Sequence, residues 1–290
     1  MIRKGEWLEL IVPRSLTDDA QAHTDYLTRE FRMPAAYVKR MHSGGDIIRS
    51  GDRLRLRLFD ARPLGFEPQW QELEILFEDD FCLVVNKPAG IPVHPSAAGA
   101  GGTLANGVAF HYQASGERVA VRHIHRLDDW TTGPVLYAKN AYAQHMLDED
   151  MRHKRILRSY VAIAHGRPTY EQGVIDAPIG RDRHVAGRRR VSQSGLAAVT
   201  HYEVMERFQA AALFHLQLET GRTHQIRVHL SHLGHPIIGD RLYGGDASLI
   251  ARQALHGMRL SFHHPLGGEL IEIEADMPDD MRALLDKLSE

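Results

Sequence analysis

The clearest alternation of hydrophobic and polar positions lies between residues 52 and 60, where leucines and arginines take turns along the chain. A period of two is typical of a strand with one buried face, because successive side chains of a strand point to opposite sides. The predicted strand therefore has a hydrophobic face and a cationic face, formed by Leu54, Leu56 and Leu58 and by Arg53, Arg55 and Arg57.

Two helices are predicted before this strand. The first is capped by polar side chains at residues 17–19 and runs to about Phe31, and the second begins at Pro34. A stretch that contains prolines and a glycine follows the strand and is typical of a linker. We therefore expect a small α+β module over residues 1–65 and a larger unit over residues 70–290.

Hydrophobic runs typical of strands recur through the larger unit, and amphipathic helical patterns are fewer. The predicted strands are Leu73–Phe77, Phe81–Asn86, Val135–Ala138, Tyr160–Ala164, Ala198–Glu206, Ala212–Leu218 and Leu270–Ala275. The predicted helices are Leu104–Tyr112, Ala141–Met151, Gln225–Leu233 and Asp279–Leu288. Because strands and helices are interleaved irregularly, we expect an α+β fold with a central mixed or antiparallel sheet instead of a doubly wound one.

The composition indicates a globular protein of a reducing compartment. Of 290 residues, 43% are hydrophobic and 25% are charged, which is enough for a conventional core. The single cysteine, Cys82, argues against a disulfide framework or a thiolate metal cluster within one chain. No signal-peptide pattern and no long apolar stretch is present, so we expect a cytoplasmic protein that does not enter the membrane and that acts as a monomer.

The formal charge of −2 does not by itself indicate nucleic-acid binding, but the basic residues are clustered. They gather in residues 152–158, in residues 181–190, and on the cationic strand with the helix before it. Such clusters predict contacts with nucleic-acid phosphates, and a merely solvated surface is the alternative. The candidate phosphate-binding residues are Lys39, Arg40, Arg53, Arg55, Arg57, Arg158, Arg188, Arg189 and Arg190.

Two segments carry candidate catalytic chemistry. Residues 125–133 place Asp128 in a polar loop before a buried strand, which suits a reactive carboxylate at the lip of a cleft. An ordinary capped loop explains the same pattern. Residues 218–240 are predicted to form a strand, a tight turn, an amphipathic helix and a second turn. Arg222 lies where the turn enters the helix, so its guanidinium can reach a neighbouring loop.

Four ordered blocks of the sequence resemble the RluA family of pseudouridine synthases. They read VNKPAGIPVHPS (85–96), HRLDDWTTG (125–133), RSYVAIAHG (158–166) and ETGRTHQIRVHLSHLGHPIIGD (219–240). The resemblance extends from about Leu73 to the C-terminus and implies the pseudouridine synthase fold with a catalytic cleft. The N-terminal module more distantly resembles a shortened S4-type RNA-binding module, through its two helices and the run GDRLRL.

The resemblance implies an isomerase that converts specific uridines of ribosomal or transfer RNA to pseudouridine, without a metal or any other cofactor. Asp128 matches the catalytic aspartate of the family, Tyr160 the tyrosine that packs on the uracil, and Arg222 the arginine that pairs with the carboxylate. His125 and Arg126 belong to the same block as Asp128 and are implied RNA contacts.

The implied reaction breaks the bond between N1 and C1′, turns the uracil and joins C5 to C1′. The base must therefore leave the RNA stack and remain captured. Asp128 would either attack C1′ or remove the C2′ proton, and both routes need the anion. An adjacent guanidinium keeps a carboxylate ionised in a partly dry cleft, and an aromatic face holds the loose base by stacking.

Three other interpretations use the same residues. His224, His229, His232 and His235 are closely spaced, but the sequence has no HExxH motif and no cysteine to complete a zinc site. A non-catalytic RNA-binding protein would keep the basic clusters without needing all of the matched site residues. A glycoside hydrolase would need a second carboxylate at a matched separation, which the adjacent Asp129 does not offer in an extended chain.

Overall fold

The computed structural model describes residues 1–97 and 99–290. The N-terminal module pairs two helices with a four-stranded antiparallel sheet in the order β1-β2-β4-β3. Its elements are β1 (Ile2–Lys4), β2 (Trp7–Ile11), α1 (Ala20–Phe31), α2 (Ala35–Ser43), β3 (Ile47–Ser50) and β4 (Arg53–Arg57).

The alternating pattern of residues 52–60 is confirmed as strand β4. Leu54 and Leu56 are fully buried and belong to one hydrophobic cluster with Leu27 of α1 and Val38 of α2. The arginines of the strand point away from this cluster. The helix prediction is also confirmed, since the Asp19 side chain accepts a hydrogen bond of 2.9 Å from the Ala22 N–H at the start of α1.

The module shares a hydrophobic core with the rest of the chain. The Tyr37 ring packs on Tyr142 with centroids 5.2 Å apart, and the Phe59 ring packs on Phe81 at 5.4 Å. The segment between β4 and the next strand has no helix or strand of its own. The boundary near residues 65–70 stays a prediction, and the packing across it indicates that the two parts support each other.

The remaining chain contains the other elements of the α+β fold. Its strands are β5 (Glu74–Glu78), β6 (Cys82–Lys87), β7 (Arg122–His123), β8 (Gly133–Ala138), β9 (Leu157–His165), β10 (Gln172–Asp176), β11 (Ile179–Arg181), β12 (Arg189–Val191), β13 (Val199–Arg207), β14 (Ala211–Leu218), β15 (Leu255–His263) and β16 (Leu270–Glu274). Its helices are α3 (Leu104–Ala114), α4 (Ala141–Arg152), α5 (Gln225–His232) and α6 (Asp279–Ser289). Among the described residues, no helix is both long enough and apolar enough to cross a membrane.

The strands form a six-stranded antiparallel sheet in the order β10-β13-β14-β9-β15-β16 and a four-stranded one in the order β5-β6-β8-β7. The predicted α+β class and antiparallel pairing are confirmed. Strand β15 lies inside the six-stranded sheet, between β9 and β16, but is absent from the predicted strands, because its pairing with β9 shifts register between Gly257 and Arg259 and interrupts the period of two. The short hairpin of β11 and β12 was also missed.

The two sheets meet directly after the loop that carries Asp128. The Gly257 N–H donates to the Thr132 carbonyl at 2.8 Å, and the Thr132 hydroxyl lies 2.8 Å from His256 Nδ1. Gly133 has a φ of 128°, and a Cβ added to it would lie 2.5 Å from the Gly257 carbonyl oxygen. Only glycine fits this contact, because both the backbone conformation and the neighbouring strand exclude a side chain.

We therefore predict that Gly133→Ala lowers the free energy of unfolding by about 2–5 kcal/mol, from backbone strain plus steric overlap. The matched control is Gly116→Ala, because Gly116 also has a positive φ, of 72°, but no atom lies within 4 Å of its added Cβ. The control should lose about 1 kcal/mol. Urea-induced unfolding measures both, and equal losses would show that the approach of the two strands does not restrict residue 133.

Candidate active site

The loop of Asp128 connects β7 to β8 and is held in place by a buried lysine. Lys87 is fully buried, and its ammonium donates to the carbonyl oxygens of Asp129 at 2.7 Å, Pro88 at 2.8 Å and Ile91 at 2.7 Å. Burial lowers the pKa of Lys87 to about 8, so most of it is still charged at pH 7. The three hydrogen bonds therefore fix the main chain next to the carboxylate.

The Asp128 carboxylate is paired with Arg227 of helix α5. Arg227 Nη1 lies 3.0 Å from Asp128 Oδ2. The other edge of the guanidinium makes a bidentate pair with Asp240, through Nε at 2.6 Å and Nη2 at 2.9 Å. Burial alone would lower the pKa of Arg227, but the hydrogen bonds and charges of Asp240 and Asp128 outweigh it and raise that pKa. One permanently charged group thus binds two carboxylates.

The prediction that Arg222 pairs with Asp128 is wrong. Arg222 Nε donates to the Ala197 carbonyl at 3.0 Å, and the Arg222 backbone N–H donates to the Gln225 side chain at 3.0 Å. Arg222 is exposed and lies at the rim of the cleft. Its position at a turn before the helix points its side chain outward, so the buried helical position five residues later makes the contact instead.

A signal for Arg227 was present in the sequence. Residues 225–230 of α5 are all buried, and Arg227 is the charged member of this run. An arginine is almost never buried without a partner, because the desolvated charge is costly. The sequence signal is weaker than the structural one, because only Ile226, Val228 and Leu230 of this run are hydrophobic, and the burial that requires an ion-pair partner is seen only in the structure.

A cavity of about 300 Å³ opens beside Asp128. Tyr160 of β9 forms part of its wall and is 5% exposed, and burial raises the pKa of Tyr160 so that the phenol is protonated at neutral pH. Ile226 and Leu218 provide hydrophobic wall. The cavity thus brings a carboxylate, an aromatic ring and aliphatic side chains together, and such a combination suits a nucleobase.

His224 is a site residue that the sequence suggested only as a metal ligand. It has a positive φ of 59°, and its Nε2 lies 4.0 Å from Asp128 Oδ2. Its Nδ1 is 2.9 Å from the Tyr243 hydroxyl, which accepts a hydrogen bond of 2.9 Å from the Arg189 N–H. Burial is the main cause of the lowered pKa of His224, so the imidazole is neutral at pH 7. The Tyr243 hydroxyl can therefore donate its own hydrogen to His224 Nδ1. The proton of the neutral imidazole then lies on Nε2, the nitrogen that faces Asp128.

The structure places the other predicted residues in different settings. His125 is buried, accepts a hydrogen bond of 3.3 Å from the Leu136 N–H, and has its pKa lowered to about 3 by burial and by the charge of Arg158. Arg158 is itself 9% exposed and lines the cavity. Arg126 is exposed at the cavity entrance. Arg188 lies near the ring of Tyr243, with Cζ 5.6 Å from its centroid.

The closely spaced histidines do not form a metal site. His229 hydrogen-bonds Thr200 at 2.8 Å through Nδ1 and the Ala177 carbonyl at 2.9 Å through Nε2. His235 Nδ1 instead contacts the His165 carbonyl at 2.9 Å. Among the residues that the structure describes, no group of three or more histidine, cysteine or acidic side chains could hold a metal ion.

Comparison with known proteins identifies the family. A profile of the family described as RNA pseudouridylate synthase matches residues 81–232. The chain is also 44% identical over 285 residues to the uncharacterized RNA pseudouridine synthase YhcT of Bacillus subtilis, which covers 97% of this chain and 92% of YhcT. The chain belongs to the RNA pseudouridylate synthase family.

Further relatives of this synthase support the same family assignment. The ribosomal large subunit pseudouridine synthase D of Pasteurella multocida is 39% identical over 269 residues, which is 86% of this chain and 83% of that protein. The solved structure of human RNA Pseudouridylate Synthase Domain Containing 4 superposes with a TM-score of 0.61 at 27% identity, covering 74% of this chain and 92% of that one. The predicted fold and enzyme class are thereby confirmed, and the synthase is an isomerase that acts on RNA.

The shared guanidinium yields a prediction about the two arginines. Arg227→Met leaves Asp240, which is 2% exposed, buried without its counter-ion. We expect a loss of about 3–5 kcal/mol in the free energy of unfolding, whereas the rim variant Arg222→Met should stay within about 0.5 kcal/mol of the wild type. Urea-induced unfolding measures both variants.

A second substitution isolates the charge effect. Arg227→Met combined with Asp240→Asn should recover part of the lost stability, because the uncompensated carboxylate is gone. It should not recover the isomerisation rate, since Asp128 still lacks its guanidinium. A larger stability loss in Arg222→Met than in Arg227→Met would contradict the assignment.

Proposed function

We propose that this synthase isomerises uridines of large-subunit ribosomal RNA, with Asp128 as its catalytic carboxylate. The observation that supports the proposal best is the 3.0 Å contact between Asp128 and Arg227 at the edge of a cavity walled by Tyr160. The RNA class is proposed from relatives such as the ribosomal large subunit pseudouridine synthase D of Pasteurella multocida. Transfer RNA is the other substrate class that the resemblance to the RluA family implies.

In this proposal the target uridine is turned out of the RNA and its uracil enters the cavity. Arg227 holds the Asp128 carboxylate at the edge of the cavity through a charge-assisted hydrogen bond, and Tyr160 stacks on the uracil while it is detached from the ribose. The bond between N1 and C1′ breaks and a bond between C5 and C1′ forms. The proton lost from C5 and the proton gained by N1 balance, so the product is an isomer of the substrate.

Arg222, Arg126 and Arg158 have different proposed roles because their burial differs. Arg222 and Arg126 are exposed at the cavity and are suited to RNA phosphates that pass its entrance. Arg158 is buried in the wall, where its positive charge lies close enough to His125 to lower the pKa of that histidine. We therefore assign Arg158 to the electrostatics of the cavity and not to the outer RNA surface.

The first test of this function is Asp128→Asn, which keeps the shape of the side chain but removes the anion. We expect the rate of tritium release from RNA labelled at uridine C5 to fall by a factor on the order of 10³ or more. The matched control is Asp129→Asn, the neighbouring carboxylate, which should stay within about tenfold of the wild type. Equal activity of Asp128→Asn and wild type would remove Asp128 from the mechanism.

The wild type and Asp128→Asn together also identify the RNA substrate. In a strain that lacks the gene, carbodiimide-dependent reverse-transcription stops should disappear at one or more large-subunit positions. Complementation with the wild type should restore them, and complementation with Asp128→Asn should not. Restored stops in transfer RNA alone would assign the other substrate class.

We further propose that the N-terminal sheet binds RNA phosphates through its cationic face. Two of its arginines already carry counter-ions, since Arg53 pairs with Glu9 and Arg57 lies 2.9 Å from Glu6. Arg55 lies over the Trp7 ring at 5.8 Å and carries no ion pair within the described part of the chain. Arg55 is therefore the strand residue whose charge is most available to RNA.

Substitution tests this surface better than deletion, because removing the module would expose the rings of Phe81 and Tyr142. We expect Arg55→Gln to weaken RNA binding and to reduce the slope of log K against log salt by about 0.7–0.9, as the loss of one phosphate contact requires. The rate at saturating RNA should not change. Lys287→Gln removes the same charge from an exposed position of α6 and should leave the slope unchanged. A reduced rate with an unchanged slope would contradict the proposal.

A further inference from the structure

We propose that the catalytic loop has a second nucleobase site, in which Trp130 stacks on the base of a nucleotide next to the target uridine. The inference rests on the proposed function, because it requires a uridine to occupy the cavity beside Tyr160. It assigns a role to a tryptophan two residues after Asp128 that the reaction itself does not use.

The site is a second cavity, which also borders Asp128 and has a volume of about 400 Å³. Both cavities are lined by Asp128, Arg126, His224 and Arg227, so they meet at the catalytic carboxylate. The walls that belong to the second cavity alone include Pro92, Val93, His94, Trp130, Leu242 and Gln253. An RNA strand whose uridine occupies the first cavity would therefore continue past the second.

Trp130 is exposed but fixed in place. Its side chain is 53% exposed, while its ring lies against Gly90, where a Cβ would come within 3.4 Å of Cζ3. The Gly90 N–H donates to the Asp129 carbonyl at 2.9 Å. The Trp130 carbonyl accepts a hydrogen bond of 3.3 Å from Arg252, which is itself held by Asp280 at 2.7 Å. Because the ring packs on Gly90 and the Trp130 main chain is held by Arg252, the ring loses little entropy when a base packs on it.

The chemistry of the cavity favours a nucleobase as its occupant. Turning a uridine out of the RNA removes a stacking partner from its neighbours, and an aromatic side chain can replace that partner. The cavity is also lined by His94, whose ring packs on His123 with centroids 4.7 Å apart. Arg126 stands at the boundary of the two cavities, where it can bind the phosphate between the two nucleotides.

Fluorescence tests whether RNA reaches the ring. The chain has three tryptophans, so Trp7→Phe with Trp70→Phe leaves Trp130 alone, and Trp7→Phe with Trp130→Phe leaves Trp70, which is 73% exposed in the segment after the N-terminal module. Both proteins carry Asp128→Asn so that the RNA is bound but not converted. Fragments transcribed from large-subunit ribosomal RNA should quench the Trp130 emission, because a stacked base lies in contact with the indole, and should leave the Trp70 emission nearly unchanged.

A binding cycle tests stacking directly. The probe is a synthetic RNA hairpin centred on the mapped uridine, with the base on its 5′ or its 3′ side replaced by an abasic ribose. In the wild type, one of the two replacements should raise Kd by about 5- to 150-fold, the range of a single base stacked on an aromatic ring. Trp130→Ala should bind the intact hairpin equally weakly and show no further loss on base removal. Trp130→Phe should retain most of the affinity, and Trp70→Ala all of it.

Two results would overturn the inference. The first is that bound RNA leaves the Trp130 emission unquenched. The second is that removing either flanking base weakens RNA binding of Trp130→Ala by the same factor as it weakens binding of the wild type. Either result, obtained with a wild type that still isomerises the uridine, rejects only the second nucleobase site. Absence of isomerisation in the wild type would instead reject the proposed function.

Discussion

The guanidinium of Arg227 is bound by two carboxylates at once, and the position of the loop that carries Asp128 depends on that arrangement. Asp240 accepts hydrogen bonds from Nε and Nη2. These two bonds fix the plane of the guanidinium and leave Nη1 directed at Asp128. A lysine could not replace it, because a point charge has no such plane. The cost of burying these charges is offset only when all the partners are present, so helix α5 and the loop of Asp128 hold each other in place.

Two more buried cations determine the path of the same loop, and they act on main-chain oxygens. Lys87 binds the carbonyl of Asp129 in the loop and those of Pro88 and Ile91. Arg252 binds the carbonyl of Trp130 in the loop and those of Gln253 and Leu255. A loop between strands lacks ladder partners for its carbonyls, and these cations supply them. The close approach of Gly133 and Gly257 then joins the loop to the six-stranded sheet.

The N-terminal module uses its two faces for different purposes. The leucine face of β4 is buried under α1 and α2 in a cluster that continues into β6 and β8 of the larger part. The cationic face stays at the surface, where Glu6 and Glu9 neutralise part of it. The module is therefore part of the structural support of the synthase as well as a proposed RNA-binding surface.

The sequence by itself determined what depends on local periodicity and on short ordered motifs. The period of two in β4, the capped helix α1, the α+β class and the family blocks around Asp128 and Tyr160 could all be predicted, because neighbours along the chain decide them. Tertiary structure decided which side chains meet. Arg222 and Arg227 both lie in the same block, and only the burial of α5, from residue 225 to residue 230, directs Arg227 to Asp128. The same holds for the second cavity at Trp130 and for β15, whose bulge hides its period, since packing between segments distant in sequence determines both.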